Sequence, residues 1–373
     1  MAGFLGIVYG FLPRKVAQQL LLKYYMGRLT YGKNKLIILI QGYFGFGNVG
    51  DEAVLSVVLD EFRRMFGDDV EFVVLSSNPG RTVRIHGVRA IRERLTSPVF
   101  WRFFLRSHVL IFAGGGRYGY ATWRRMALLA LLAELLGKAV VFWAVGVYPY
   151  DWRGSPVISR EPMPFRGLTG LLIRFVVSRA SYVSVRDGYS YAVLRMTGVN
   201  RRIAIENDLA FRMKPPDPGE CASLAVKYGI AGGRVLGINL RTLDYETNRR
   251  VVDYVVRLVR EFMGMGFDRV VFVPFGFGSF EGRFFDDDLI IANVLKKYVP
   301  NLVVINEELN PRTMLCLFNY FDYLIVMRHH AIIFALLANK PMTALVYDTK
   351  SLELLRMSGK SKNVNVVPIR ELI

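Results

Sequence analysis

The chain is predicted to be an α/β protein of two Rossmann-like, doubly wound domains facing across a cleft. Three observations lead there. Short apolar runs alternate with helix-period stretches almost to the end of the 373 residues, the pattern of parallel strands covered on both faces. A proline-rich break, Met213-Lys-Pro-Pro-Asp-Pro-Gly219, divides that rhythm into two halves, each opening on a strand. The length suits two domains of ordinary size, and a hydrophobic content of 52% can give each its own core.

In order, Lys35–Ile40 reads as a buried strand, followed by a glycine-rich turn and a helix over Glu52–Met65. Strands Val70–Leu75 and His108–Ala113, helix Arg124–Leu136 and strand Ala139–Val145 continue the rhythm. After a loop over Tyr148–Gly167 come helix Leu168–Ser178 and strand Tyr182–Val185. Beyond the break, strands are expected at Val235–Leu240, Arg269–Pro274, Leu302–Ile305, Tyr323–Val326 and Met342–Val346. Helices Asn248–Met263, Pro311–Phe318 and Ala331–Leu337, and one from Lys350, lie between or after them. The expected division is a basic apolar extension (1–34), an N-terminal acceptor-side domain (35–212), a linker (213–219) and a C-terminal donor-side domain (220–373).

A net charge of +18 implies polyanionic company: nucleic acid, an anionic lipid surface or a phosphorylated substrate. The charge is uneven. No acid precedes Asp51, while Arg14, Lys15, Lys23, Arg28, Lys33 and Lys35 do, and a second basic cluster runs from Arg81 to Arg106. The apolar opening, Met1–Pro13, is too short to span a membrane, and as a signal peptide its basic residues stand on the wrong side. Two readings of the extension stay open: peripheral attachment to the anionic cytoplasmic face of a membrane, or packing on the chain's own domain. Ala127–Leu136 is apolar but again too short to span. Two cysteines, Cys221 and Cys316, make neither a disulfide framework nor a zinc cluster, which fits a reducing cytoplasm. Three glutamines among many arginines lean toward heat adaptation.

In open parallel sheets, ligands bind where strand C-ends meet helix N-ends, and the unusual residues cluster there. Gly45, Gly47 and Gly50 match G-x-G-x-x-G between a strand and a helix. A dinucleotide reading fails, because Asp51 and Glu52 occupy the turn where a pyrophosphate would lie and the next strand ends in Ser76-Ser77-Asn78, without a ribose-binding acid. A pocket for a sugar or donor, with Phe44, Phe46 and Asn48 facing it, and a merely tight turn remain. Gly114-Gly115-Gly116 at another strand end permits close backbone approach to a ligand, or is a structural turn. Val185-Arg186-Asp187 offers either an arginine fork for an anion or a helix cap beside a surface arginine. Met327-Arg328-His329-His330 holds two of the four histidines, and Tyr347-Asp348-Thr349-Lys350 follows one βα unit later. Adjacent histidines point in different directions, so one of the two faces the cleft. No third ligand of fitting spacing accompanies them, so no metal is expected.

In this order the motifs resemble the polysaccharide pyruvyltransferase family. Its G-Y-Y-G-x-x-N-x-G-D-E-A opening corresponds to Gly42–Ala53, its G-G-G to Gly114–Gly116, and its G-x-G-I/V-x-P to Ala144–Pro149. Val185-Arg186-Asp187 precedes Leu194-Arg-Met-Thr-Gly198, and a D-P-A-F-like segment reads Asp208-Leu209-Ala210-Phe211. The M-R-L-H-A-L-I-F-A block is Met327–Ala335, with His329 for leucine, and Y-D-P-K is Tyr347–Lys350, with Thr349 for proline. The match covers about residues 35 to 360 and leaves 1–34 outside. Arg117-Tyr118 stands where members often carry a Leu-Leu-Gln-Asp-like stretch, which leaves the acceptor open.

The resemblance implies a GT-B-like architecture and transfer of a pyruvyl ketal from phosphoenolpyruvate to a sugar of a cell-surface polysaccharide or its lipid-linked precursor. No cofactor is implied beyond phosphoenolpyruvate as donor substrate, and no nucleic-acid partner. It implies His330 and Arg328 as catalytic residues, Arg186, Lys350 and Arg328 as donor cations, and Phe44, Phe46, Asn48 and Gly114–Gly116 around the substrate. A GT-B glycosyltransferase using a sugar nucleotide is the rival; it would need an acid for the ribose, and Glu307 and Glu308 are available.

Overall fold

The computed structural model describes residues 35–150, 161–214, 216–280, 284–358 and 363–372; the expectation for 1–34 lies outside them. The chain divides into two compact units. The first takes residues 35–45, 54–150 and 162–209; the second takes 46–53, 161 and the described residues from 210 on.

The run through the first sheet is β1 (Leu36–Gln41), α1 (Val49–Phe66), β2 (Val70–Leu75), α2 (Pro79–His86), β3 (Arg89–Ile91), α3 (Pro98–Arg106) and β4 (Val109–Ala113). It continues with β5 (Gly116–Tyr118), α4 (Tyr120–Leu135), β6 (Ala139–Tyr148), α5 (Gly167–Arg179), β7 (Tyr182–Val185), α6 (Gly188–Met196) and β8 (Ala204–Ile205). The strand order is β3-β2-β1-β4-β6-β7-β8, with β5 beside β6, and every pairing is parallel. The second unit contains α7 (Ala222–Lys227), β9 (Val235–Asn239), α8 (Tyr245–Gly264), β10 (Arg269–Phe272), the antiparallel pair β11 (Phe277–Phe280) and β12 (Phe284–Asp287), and α9 (Asp288–Lys296). It ends with β13 (Val303–Val304), α10 (Pro311–Leu317), β14 (Tyr323–Val326), α11 (His329–Leu337), β15 (Met342–Val346), α12 (Thr349–Met357) and β16 (Val364–Pro368). Its sheet is also parallel, ordered β13-β10-β9-β14-β15-β16.

The two orders are the same doubly wound pattern. The first strand lies in the middle, the chain fills one side, then crosses to the other. The crossover point falls between β1 and β4 in the first sheet and between β9 and β14 in the second, where such folds open a ligand crevice.

Sequence explains the elements. β1, β4, β6 and β9 are buried at every position, as strands covered on both faces must be. Helix α8 buries Val251, Val252, Val255, Val256 and Val259 along one stripe against the second core. Helix starts are satisfied by side chains: Asn78 accepts from the Arg81 amide, Asp187 from Ser190, Asp244 from Thr247 and Asp348 from Ser351. Strand β6 runs on to Tyr148 although Ala144 takes φ 47°. The buried Ser184 hydroxyl accepts the Ala144 amide at 2.8 Å and holds that kink.

One compositional expectation is corrected. Cys221 and Cys316 are not free thiols; they are joined in a disulfide across 95 residues, with Cα atoms 6.1 Å apart. Both are buried within the second unit, where the turn before α7 packs on α10. A count of two thiols rules out a framework of bridges but not one bridge.

Candidate active site

In the second unit the crossover point gathers the residues after β9, β14 and β15. Asn239 ends β9, and its side chain bridges its neighbours: the carboxamide oxygen accepts the Arg328 amide at 3.0 Å and the nitrogen donates to the Val273 carbonyl at 2.7 Å. Arg328 is the residue before α11. Its Nε and Nη2 fork onto both carboxylate oxygens of Asp288, at 2.5–3.0 Å. Asp288 has no exposed surface and also accepts the amides of Phe275 and Gly276, at 2.8 and 2.9 Å. The guanidinium is therefore fixed in one plane with its charge matched by a carboxylate.

His329 and His330 form the first turn of α11 rather than the loop before it. Both are buried, with ring centroids 5.1 Å apart and planes at 89°, so the two imidazoles do point in different directions. The His330 ring lies on the backbone of Gly50, where a Cβ would stand 1.9 Å from Nδ1 and 2.1 Å from Cγ. Gly50 is thus the glycine that lets a histidine ring touch the start of α1. Gly45 and Gly47 carry the turn itself, each at φ 78°. Residues 46–53 belong to the second unit, tied in by the Val49 amide to the Phe275 carbonyl (2.9 Å) and the Phe277 amide to the Gly47 carbonyl (2.8 Å).

One strand further, Asp348 caps α12 and its carboxylate stands 3.3 Å from Lys350 Nζ. Burial pushes the Asp348 carboxyl up, but Lys350, Ser351 and His329 together pull it down, and the net direction is below the ordinary carboxylate value. Arg241, just past β9, donates from Nη1 to the Tyr347 phenol at 2.9 Å with its guanidinium 5.6 Å from that ring. Sequence reasoning missed Arg241. Its signal was available, since Asn239-Leu240-Arg241-Thr242 follows a strand as the other motifs do.

The expected residues of the first unit are placed as follows. Phe44 is buried with its ring folded onto Gly42, whose Cβ would meet it at 2.0 Å. Gly114, Gly115 and Gly116 close the end of β4; the space beside Gly114 is filled by Val54, and a Cβ on Gly116 would stand 3.0 Å from Arg186 Nη2. Arg186 is sealed, not on the surface. It pairs with Asp208 at 3.1 Å, lies 3.7 Å from Asp187 and donates to the Tyr148 hydroxyl at 3.3 Å, while Tyr148 donates to Asp187 at 2.6 Å. Burial works against its charge, but Tyr148, Asp208 and Asp187 outweigh it and raise the guanidinium further above its ordinary value. Asp187 caps α6 at the same time.

The remaining pocket candidates, Phe46 and Asn48, are half-buried and belong to the second unit. Asn48 accepts the Gly50 amide at 3.0 Å and is the cap of α1. Glu307 is bound to Lys227 (2.8 Å) and the Tyr228 hydroxyl (2.7 Å), which hold its carboxyl below the ordinary value.

Comparison with known proteins agrees with the fold and gives the family. Solved structures similar to this chain include Anabaena HepE in complex with UDP, at 12% identity and TM-score 0.53, covering 88% of this chain and 85% of that one. The UDP-GlcNAc 2-epimerase of Methanocaldococcus jannaschii gives 11% identity, TM-score 0.54 and 90% of each chain. That of Neisseria meningitidis bound to UDP-GlcNAc gives 10%, 0.53, and 90% and 89%. At such identities the likeness is one of fold, GT-B-like with two Rossmann-type domains. No curated protein matches the sequence. The sequence model of the polysaccharide pyruvyl transferase family matches residues 48–349, from the cap of α1 to the start of α12; the chain belongs to that family and is an enzyme of its type.

Proposed function

We propose that the enzyme transfers a pyruvyl group from phosphoenolpyruvate to two hydroxyls of a sugar in a polysaccharide or its precursor. The observation that carries the reading is the placement of Arg328, His330, Lys350 and Arg241 at the crossover end of one sheet. A donor with close to three negative charges needs several cations, preorganised so that they need not rearrange when charge shifts. Lys350 and Arg241 are the more accessible cations there. Arg328 is buried, and its fork is set by Asp288. Arg186, whose charge two carboxylates already meet, we assign to holding the end of β6 rather than to the donor.

The chemistry suits a histidine. Protonated His330 gives its proton to the methylene carbon of the donor, which becomes a methyl group while C2 becomes electrophilic. The first sugar hydroxyl adds to C2 and returns a proton to the imidazole. The C2–O bond to phosphate then breaks, the second hydroxyl adds, and its proton leaves with the phosphate. One imidazole, giving a proton and taking one back, serves both directions of transfer.

The test is release of inorganic phosphate from phosphoenolpyruvate in the presence of glycan acceptors, set against nucleotide release from UDP-sugars. Phosphate release with a ketal in the glycan supports the reading; nucleotide release alone overturns it in favour of a glycosyltransferase. Lys350→Ala and Arg241→Ala should each weaken phosphoenolpyruvate by calorimetry about 10- to 150-fold, the worth of a charge-assisted hydrogen bond. Unchanged binding in both variants would place the donor elsewhere.

A further inference from the structure

Helices α4 and α5 lie side by side on the first unit and present an apolar face to solvent. Their N-terminal ends are tied by Tyr120, whose hydroxyl accepts the Arg166 amide and donates to the Pro164 carbonyl, both at 3.1 Å. Their C-terminal ends are tied by Arg179 and Glu134 at 3.5 Å. The outward stripe of α4 is Leu128, Leu132 and Leu135, and that of α5 is Leu168, Leu171 and Phe175. Leu135 is 74% exposed and Leu168 80%, values at which a leucine leaves nearly its whole side chain in water. Scattered exposed leucines need no explanation, but five with a phenylalanine on two clamped helices form a patch of the kind that marks an interaction surface.

The charge around the patch is mainly positive, although Arg125 is paired with Glu93 at 3.1 Å. Arg124 and Arg125 stand exposed on α4, and Arg174 and Arg179 on α5. The one acid on either helix is Glu134, which is bound to Arg179. We infer that this face docks on an anionic lipid bilayer, with the leucines and Phe175 entering the headgroup boundary and the arginines meeting lipid phosphates. Apolar area and positive charge on one amphipathic surface are the two requirements for lying on such a membrane. Neither helix, nor any other among the described residues, is long and apolar enough to cross one.

Charge decides against the rival occupants. A second copy would bring two arginine-rimmed faces together in a symmetric pair. The chain's own residues 1–34 carry five lysines and arginines and no acid, so they too would add positive charge to a positive rim. Nucleic acid would match the arginines but has no use for six aliphatic or phenyl side chains directed at it.

The docking surface stands apart from the pyruvyl reading, because vesicle binding requires neither donor nor acceptor. The experiment is flotation of the full-length protein with vesicles of phosphatidylglycerol and phosphatidylcholine, and with phosphatidylcholine alone. Wild type should float with the anionic vesicles, less so as salt rises. Leu135→Gln/Leu171→Gln should lose binding by at least roughly tenfold, the worth of one buried leucine. Arg124→Gln/Arg174→Gln should lose binding mainly at low salt. All four positions are on the surface, and an unchanged Tm checks that the variants fold. Flotation of both variants equal to wild type, or no flotation of wild type at low salt, overturns the proposal. A fall from dimer to monomer in the leucine variant, measured by light scattering, overturns it in favour of a second copy.

Discussion

An alanine at position 50 would put its Cβ 1.9 Å from His330 Nδ1, well inside van der Waals contact, so either the ring or the start of α1 would have to move. Displacements of this size at a reacting group cost on the order of 100-fold in rate. Gly50→Ala should therefore lower kcat by about that much while leaving the KM for phosphoenolpyruvate close to wild type, and His330→Ala should abolish turnover. Circular dichroism on both variants separates a misplaced imidazole from a misfolded unit. Wild-type kcat in folded His330→Ala would remove the histidine from the mechanism. The same residues show what a sequence conceals. Gly50 is visible as one glycine of a motif, yet nothing in the local string says that a histidine 280 positions later rests on it. Phe44 reads as a pocket residue until Gly42 is seen to let its ring fold back. Asn48 could have been read correctly, since Asn-x-Gly-Asp before an apolar helix is a capping pattern.

Helix α12 makes a case at the scale of one element. Its cap, Asp348, is buried, and its carboxyl nevertheless lies below the ordinary value because Lys350, Ser351 and His329 favour the charged form. A depressed carboxyl contributes stability that is present above the unfolded-state value, about pH 4, and is lost as pH falls through the folded one. Asp348→Asn keeps a capping oxygen and removes the charge, so it should flatten the acid limb of the stability profile. Denaturation midpoints measured between about pH 3 and 7 check this, and parallel curves for the two proteins would contradict it. The longest elements were legible in the sequence, as were short apolar strands such as β7 and β14, while other short elements were not. The continuous apolar runs of β1, β4 and β9 and the 3.6-residue stripe of α8 announce themselves. Strands β3, β5 and β8 have only two or three residues, too few to show a period, and are defined by their neighbours in the sheet. The four-residue pair β11 and β12 is likewise not legible in the sequence.

At the scale of the whole molecule, the Cys221–Cys316 bridge closes a long loop within the second unit. In the chain-entropy account a loop near 100 residues is stabilised by about 4.7 kcal/mol. Cys221→Ser/Cys316→Ser should therefore lower the denaturation midpoint substantially, and reductant should do the same to wild type but not to the variant. A wild-type midpoint indifferent to reductant would mean that the thiols are not joined.

The chain's route through its two units has a consequence for anyone who wants to take the protein apart. Residues 46–53 are made early, between the first and second strands, yet they fold as part of the second unit. There they supply the Gly47 carbonyl and Val49 amide to the edges of residues 275–277, and the bare α-carbon on which His330 rests. A C-terminal fragment cut at the proline-rich break would contain every cation and both histidines of the proposed donor site and still lack its floor. Swapping C-terminal halves between relatives would likewise pair each His330 with a foreign Gly50 loop. The functional seam of this protein does not coincide with any single point on its chain, and chimeras would have to carry the octapeptide along with the half it serves.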